Sequence, residues 1–121
     1  MRDHKQLRVF GLADDLVETI YRETDGFPRR EQFGLTSQIR RAAVSIAANI
    51  VEGCTRSTQS DYLRFLEIAY GSARELEYEI DLAVRLGFID ADRGASVTQK
   101  CVSTSKSLCA LIVALRARKA S

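Results

Sequence analysis

FPRREQFGLTSQIRRAAVSIAANIVEG, residues Phe27–Gly53, is the stretch that decides the fold. Pro28 breaks any helix arriving from the N-terminal side. From Gln32–Leu35 to Glu52, Leu35, Ile39, Ala42, Ile46 and Ile50 recur at helical spacing and form one apolar stripe. Ala43, Val44, Ala47, Ala48 and Val51 fill much of the remaining circumference. A helix apolar nearly all round is buried on more than one side. In a small bundle the second side is expected to be a subunit interface, with Ala43, Ala47, Val44 and Val51 as its members. Gly53 is expected to supply the left-handed residue at which helices commonly stop.

Three more helices follow outward from this one. Upstream, Val9, Ala13, Leu16 and Ile20 form an apolar face that Phe10, Val17 and Tyr21 widen. That helix ends near Thr24, ahead of Asp25-Gly26 and Pro28. Downstream, Tyr62, Leu66, Ala69, Ala73, Leu76, Ile80 and Ala83 keep a 4-3 spacing, which is a heptad seam. Ser57 or Thr58 is its expected N-cap, and Gly87 its stop. The last helix starts after a cap at Asp90 or Asp92 and repeats the spacing with Val97, Cys101, Thr104, Leu108, Leu111 and Leu115. The expected helices are 5–24, 33–52, 58–87 and 91–118. Their short connections make an all-α, antiparallel up-and-down four-helix bundle in one domain.

Composition agrees with that reading. The chain has 121 residues, 45% of them hydrophobic, with one Pro and seven Gly. No apolar run reaches the roughly 20 residues of a membrane span, and the N-terminal MRDHKQLRVF lacks a signal-peptide core. The expected compartment is the cytoplasm. Cys54, Cys101 and Cys109 are an odd number with no CxxC spacing. On one helix, Cys101 and Cys109 lie about 12 Å apart, too far for a disulfide. Buried small hydrophobes are the expectation.

Charge is segregated although the net is only +2. Residues 1–26 carry four basic and six acidic side chains, and residues 27–57 carry five and two. Residues 58–92 carry three and eight, and residues 93–121 carry six and none. Such segregation serves attraction between neighbouring helices or a basic face for an acidic partner.

At this point the residues resemble a known bacterial family of four-helix bundles, the 23S rRNA intervening-sequence protein family. The resemblance rests on Phe27–Gly53, on YLRFLEIAYGSARELEYEIDLAVRLGFID (62–90) and on the Ile20–Thr24 segment. Ala47 stands where the family often has Pro, and Phe10 where it often has Trp. The first departure restores a backbone hydrogen bond in the second helix. The resemblance implies a homo-oligomer, often a ring-shaped pentamer, with no settled activity. It extends distantly to the accessory variability determinant of diversity-generating retroelements, a more basic pentamer associated with nucleic acid.

The candidate sites follow from residue type and spacing. Gln38, Arg41, Ser45, Asn49 and Glu52 line one side of the second helix. Ser45, Asn49 and Glu52 are expected to meet Ser72 and Glu75 of GSARELE in a structural polar network, with Gly71 permitting close approach. Glu75 and Glu79 share a face, read as a solvated acidic surface. Arg suits bidentate phosphate binding. The candidate nucleic-acid-binding residues are therefore Arg29, Arg30, Arg40, Arg41 and Arg56, and a second patch of Lys100, Lys106, Arg116, Arg118 and Lys119. The competing reading is ion pairing within the bundle, such as Arg41 with an acid on the third helix. No Gly-rich phosphate loop, metal-ligand cluster or nucleophile–base pair is present. Neither catalytic residues nor a metal or other cofactor is expected. The expected function is a non-enzymatic oligomeric module binding RNA or DNA phosphate, the alternative a scaffold for a protein partner.

Overall fold

The computed structural model describes residues 2–120, the side chains of residues 119 and 120 excepted. It contains four α-helices, α1 (Arg8–Thr24), α2 (Leu35–Cys54), α3 (Gln59–Arg85) and α4 (Ala91–Ala120). Short 3-10 turns at His4–Gln6 and Arg29–Glu31 precede α1 and α2, and no strand occurs among the described residues. Each helix packs on its sequence neighbour and α4 closes on α1, whereas the diagonal pairs stay apart. That is the antiparallel up-and-down bundle the spacing predicts. The loop between α1 and α2 and the loop between α3 and α4 lie at one pole. The chain start, the α2–α3 link and the end of α4 lie at the other.

The seams enter the core as their periodicity requires. Val9, Ala13, Leu16 and Ile20 of α1 are buried, as are Leu35, Ile39, Ala42, Ile46 and Ile50 of α2. All seven seam residues of α3 are buried. In α4, Ile112 takes the deep position expected of Leu111, which is only partly buried. A 4-3 repeat averages 3.5 residues per turn, and a helix of 3.6 drifts away from it over several turns.

The helix ends have identifiable causes. Thr58 caps α3 by accepting from Asp61 N at 3.1 Å, and Asp90 caps α4 by accepting from Arg93 N at 2.8 Å. Gly87, with φ of 77°, ends α3. Phe88 N donates to Ala83 O at 2.9 Å and Gly87 N to Val84 O at 3.0 Å, the paired bonds of a Schellman turn.

Gly53 departs from expectation. It lies inside α2 and does not have positive φ. Its role is close approach, because a Cβ there would stand 3.0 Å from Phe65 Cβ and 3.2 Å from Tyr62 Cδ1. Gly71, expected to serve that purpose, is exposed with open space around it.

Ala43 corrects the interface reading. It is fully buried inside the protomer, packed in the same core as Ile46 and Ile50. It therefore belongs to the intramolecular packing. Ala47 and Val51 are half-buried, and Val44 is exposed.

Candidate nucleic-acid interface

The α2–α3 pole gathers arginines. The chain start folds onto the end of α2: Arg2 N donates to Cys54 O at 3.4 Å, and Arg2 Nη1 donates to Arg56 O at 3.0 Å. The Arg2 guanidinium stacks 3.9 Å from the centre of the Tyr62 ring. Arg56 and Arg64 stack on Phe65 at 4.6 and 5.0 Å. Stacking on an aromatic face attracts a guanidinium and fixes its plane. Arg56 also pairs with Glu52, one helical turn earlier. Arg64 has no hydrogen bond or ion pair among the described residues. An open pocket of about 530 Å³ is lined by Arg2, Thr55, Arg56 and Ser57. Two guanidinium groups and the Ser57 hydroxyl are a donor set suited to phosphate oxygens, whereas the Thr55 hydroxyl already donates to Glu52 O at 2.7 Å.

Burial sets the chemistry beneath this cluster. It pushes the Cys54 thiol and the Tyr62 phenol above their ordinary values, with Arg2 opposing the shift at both. Both groups therefore stay protonated at neutral pH. Tyr62 is buried and Phe65 half-buried, so their rings hold arginines and do not stand free for bases.

The expected basic residues do not form one surface. Arg56, Arg116 and Arg118 approach the α2–α3 pole, where Gln59 Nε2 donates to Leu115 O at 2.9 Å and fixes the end of α4 there. Arg116 pairs with Glu67. Arg118 is exposed, and the side chain of Lys119 lies outside the described residues. Arg29, Arg30 and Arg40 sit at the opposite pole. Arg41, midway along α2, is exposed with no hydrogen bond or ion pair among the described residues, so the expected pairing with α3 is not formed. Lys106 is exposed midway along α4, whereas Lys100 donates to Asp15 Oδ2 and Thr19 Oγ1, both at 2.9 Å. Sequence reasoning missed Arg2 and Arg64. The adjacency of Arg64 and Phe65 was a usable signal; the fold-back that delivers Arg2 has none.

The polar network is shorter than expected. Ser45 Oγ and Ser72 Oγ lie 2.8 Å apart across α2 and α3, and Asn49 Nδ2 donates to Ser45 O at 2.8 Å and Ser45 Oγ at 3.0 Å. Glu52 turns instead to Arg56. Glu75 turns to Glu79, which is buried rather than on a solvated face. Burial first, then the charge of Glu75 and a hydrogen bond to it, push Glu79 up to about 7. Among the described residues, no group of three or more His, Cys, Asp or Glu side chains is placed to hold a metal ion. No described helix is long and apolar enough to cross a membrane.

Fold and site together define a four-helix bundle with an arginine cluster at each pole. The chain belongs to the 23S rRNA-intervening sequence protein family, whose sequence pattern matches residues 5–110. It is similar to a solved structure from Bacteroides thetaiotaomicron, described as a protein with unknown function from the S23 ribosomal protein family. The two share 26% identity with a TM-score of 0.78, over 86% of this chain and 97% of that one. No curated protein matches the chain.

Proposed function

We propose that this protein is a non-catalytic cytoplasmic module that binds RNA or DNA phosphates and works as a homo-oligomer, pentameric by its family likeness. The observation that carries the reading is the stacked cluster of Arg2, Arg56 and Arg64 around Tyr62 and Phe65. The aromatic faces hold the guanidinium planes before a ligand arrives, which lowers the ordering cost of binding. Because those rings are not free for bases, contact is to the backbone and carries little sequence information. Repetition of the cluster around an oligomer adds avidity.

Fluorescence anisotropy with a labelled single-stranded RNA tests this across a salt series. Affinity falls steeply with salt, and the double variant R2A/R64A weakens binding about tenfold or more and reduces the salt slope by about one to two. Absence of binding at about 50 mM salt, or a double variant that binds as the parent does, overturns the reading.

A second reading, a protein scaffold with no nucleic-acid ligand, is favoured by one observation. Val44 and Ile68 are 41% and 44% exposed on neighbouring helices. Apolar side chains so placed on α2 and α3 suit a second polypeptide, including another copy of this chain.

A further inference from the structure

The opposite pole holds a different arrangement. The end of α1, the loop after it and the first turn of α2 border an open pocket of about 260 Å³, lined in part by Asp25, Phe27, Arg29, Gln32, Thr36 and Arg40. Thr36 is only 7% exposed, and its Oγ1 has no hydrogen-bond partner among the described residues. A hydroxyl in a helix usually returns to the carbonyl one turn back, as Thr24 does to Ile20 O at 2.7 Å. Thr36 does not, and a buried unpaired hydroxyl calls for a partner.

The surroundings specify the charge of that partner. Arg40 is half-buried and held in place: Nε donates to Thr24 Oγ1 at 2.8 Å, Nη2 donates to Tyr21 O at 3.3 Å, and the guanidinium lies 4.6 Å from the centre of the Tyr21 ring. None of these contacts neutralises it. Arg29 is exposed at the rim and has no ion pair among the described residues. Thr36 belongs to the first turn of a 20-residue helix, whose leading N–H groups favour negative charge. Its N-cap, Gly34, offers no side-chain acceptor. Glu31 Oε1 already accepts from Leu35 N at 3.0 Å, so one carboxylate is drawn to this helix end. Asp25 is the other acidic lining residue, and it is exposed.

We propose that this pocket is an oxyanion site that seats one phosphate group, with Arg29 and Arg40 supplying charge and the Thr36 hydroxyl donating into it. A tetrahedral anion with several acceptor oxygens matches donors arriving from a loop, a helix start and a helix face. The phosphate belongs either to a free phosphorylated small molecule or to a nucleic-acid strand. The proposal is separate from the Arg2–Arg56–Arg64 reading, because α2 places the two sites about 30 Å apart.

The test follows backbone amide shifts of the intact protein during titration with inorganic phosphate, with uridine monophosphate and with an eight-nucleotide RNA. Saturable shifts concentrated at Leu35–Gln38 are expected. T36V keeps the side-chain volume, and R29A removes an exposed residue, so both retain the parent spectrum elsewhere. Each weakens the phosphate binding read at Leu35–Gln38 about three- to tenfold. Shifts at α2 with RNA as well as with phosphate identify a strand as the source. Shifts with phosphate or the nucleotide alone identify a free ligand. Both outcomes support the site. No saturable shift with any of the three, or equal binding by the parent and both variants, overturns it.

Discussion

Glu79 has 4% of its surface exposed and one carboxylate oxygen without a hydrogen-bond partner among the described residues. Burying a charged carboxylate is costly, and Glu75 one turn earlier adds like charge, so the group titrates near 7. In the unfolded chain a Glu titrates near 4.3. Between those values the folded protein holds a proton that the unfolded chain has released. This residue therefore favours folding at low pH, and that contribution is lost as pH rises towards 7. Glu79→Gln removes the titration while keeping the shape. Urea unfolding of the parent at pH 5 and pH 8 will show a loss of roughly 1–3 kcal/mol from this source. The variant will lack that loss and will be the more stable protein at pH 8. Equal pH dependence in both would show that another group sets the slope. The acidity of this stretch was legible in the sequence; the burial of one carboxylate was not. Glu75 and Glu79 lie one turn apart on the same helix, and only tertiary packing separates a solvated position from an enclosed one.

At the scale of the elements, α2 and α3 approach closely at Gly53. Their antiparallel register is pinned by the contact of Ser45 with Ser72 at mid-helix and by Gly53 against Tyr62 and Phe65 near the pole. Gly53→Ala places a methyl against two rings that also hold Arg2, Arg56 and Arg64. The usual helix-propensity gain of Ala over Gly, about 1 kcal/mol, works in the opposite direction. Overpacking costs about 1–3 kcal/mol, so a net destabilisation of about 0–2 kcal/mol is expected in thermal unfolding, together with weaker RNA binding. A variant more stable than the parent would show that the rings yield without cost. The seams, the Thr58 and Asp90 caps and the Gly87 stop were readable because each depends on residues within one or two turns. Gly53 was misread because a glycine near a helix end serves either backbone conformation or close approach, and the partner helix decides between them.

For the whole molecule, neighbouring residues of α2 divide two roles. Ala43 is wholly enclosed and Val44 is 41% exposed. Ala43→Glu puts an unpaired carboxylate into the core and should cost more than about 3 kcal/mol, seen as loss of the cooperative unfolding transition. Val44→Glu should leave helicity intact and lower the mass measured by light scattering, if α2 and α3 carry the contact between copies. A Val44→Glu protein of unchanged oligomeric mass would move that contact elsewhere. The arginines divide at the same scale. Those near each other in sequence, Arg40 and Arg41, point to different surroundings. Arg2 and Arg64, 62 positions apart, stack on adjacent aromatic residues of α3.

By itself the sequence determined the four helices, their seams, most of their ends, the up-and-down order and the family. These follow from spacings of three and four residues and from short connections, which are local properties of the chain. Only the tertiary structure decided that Ala43 is core, that Gly53 is a contact, that Glu79 is enclosed, and that the arginines form a cluster at each pole. Periodicity gives the direction of a helix's apolar face. It does not give the width of that face once neighbours pack against its edges, nor which distant charges those neighbours bring together.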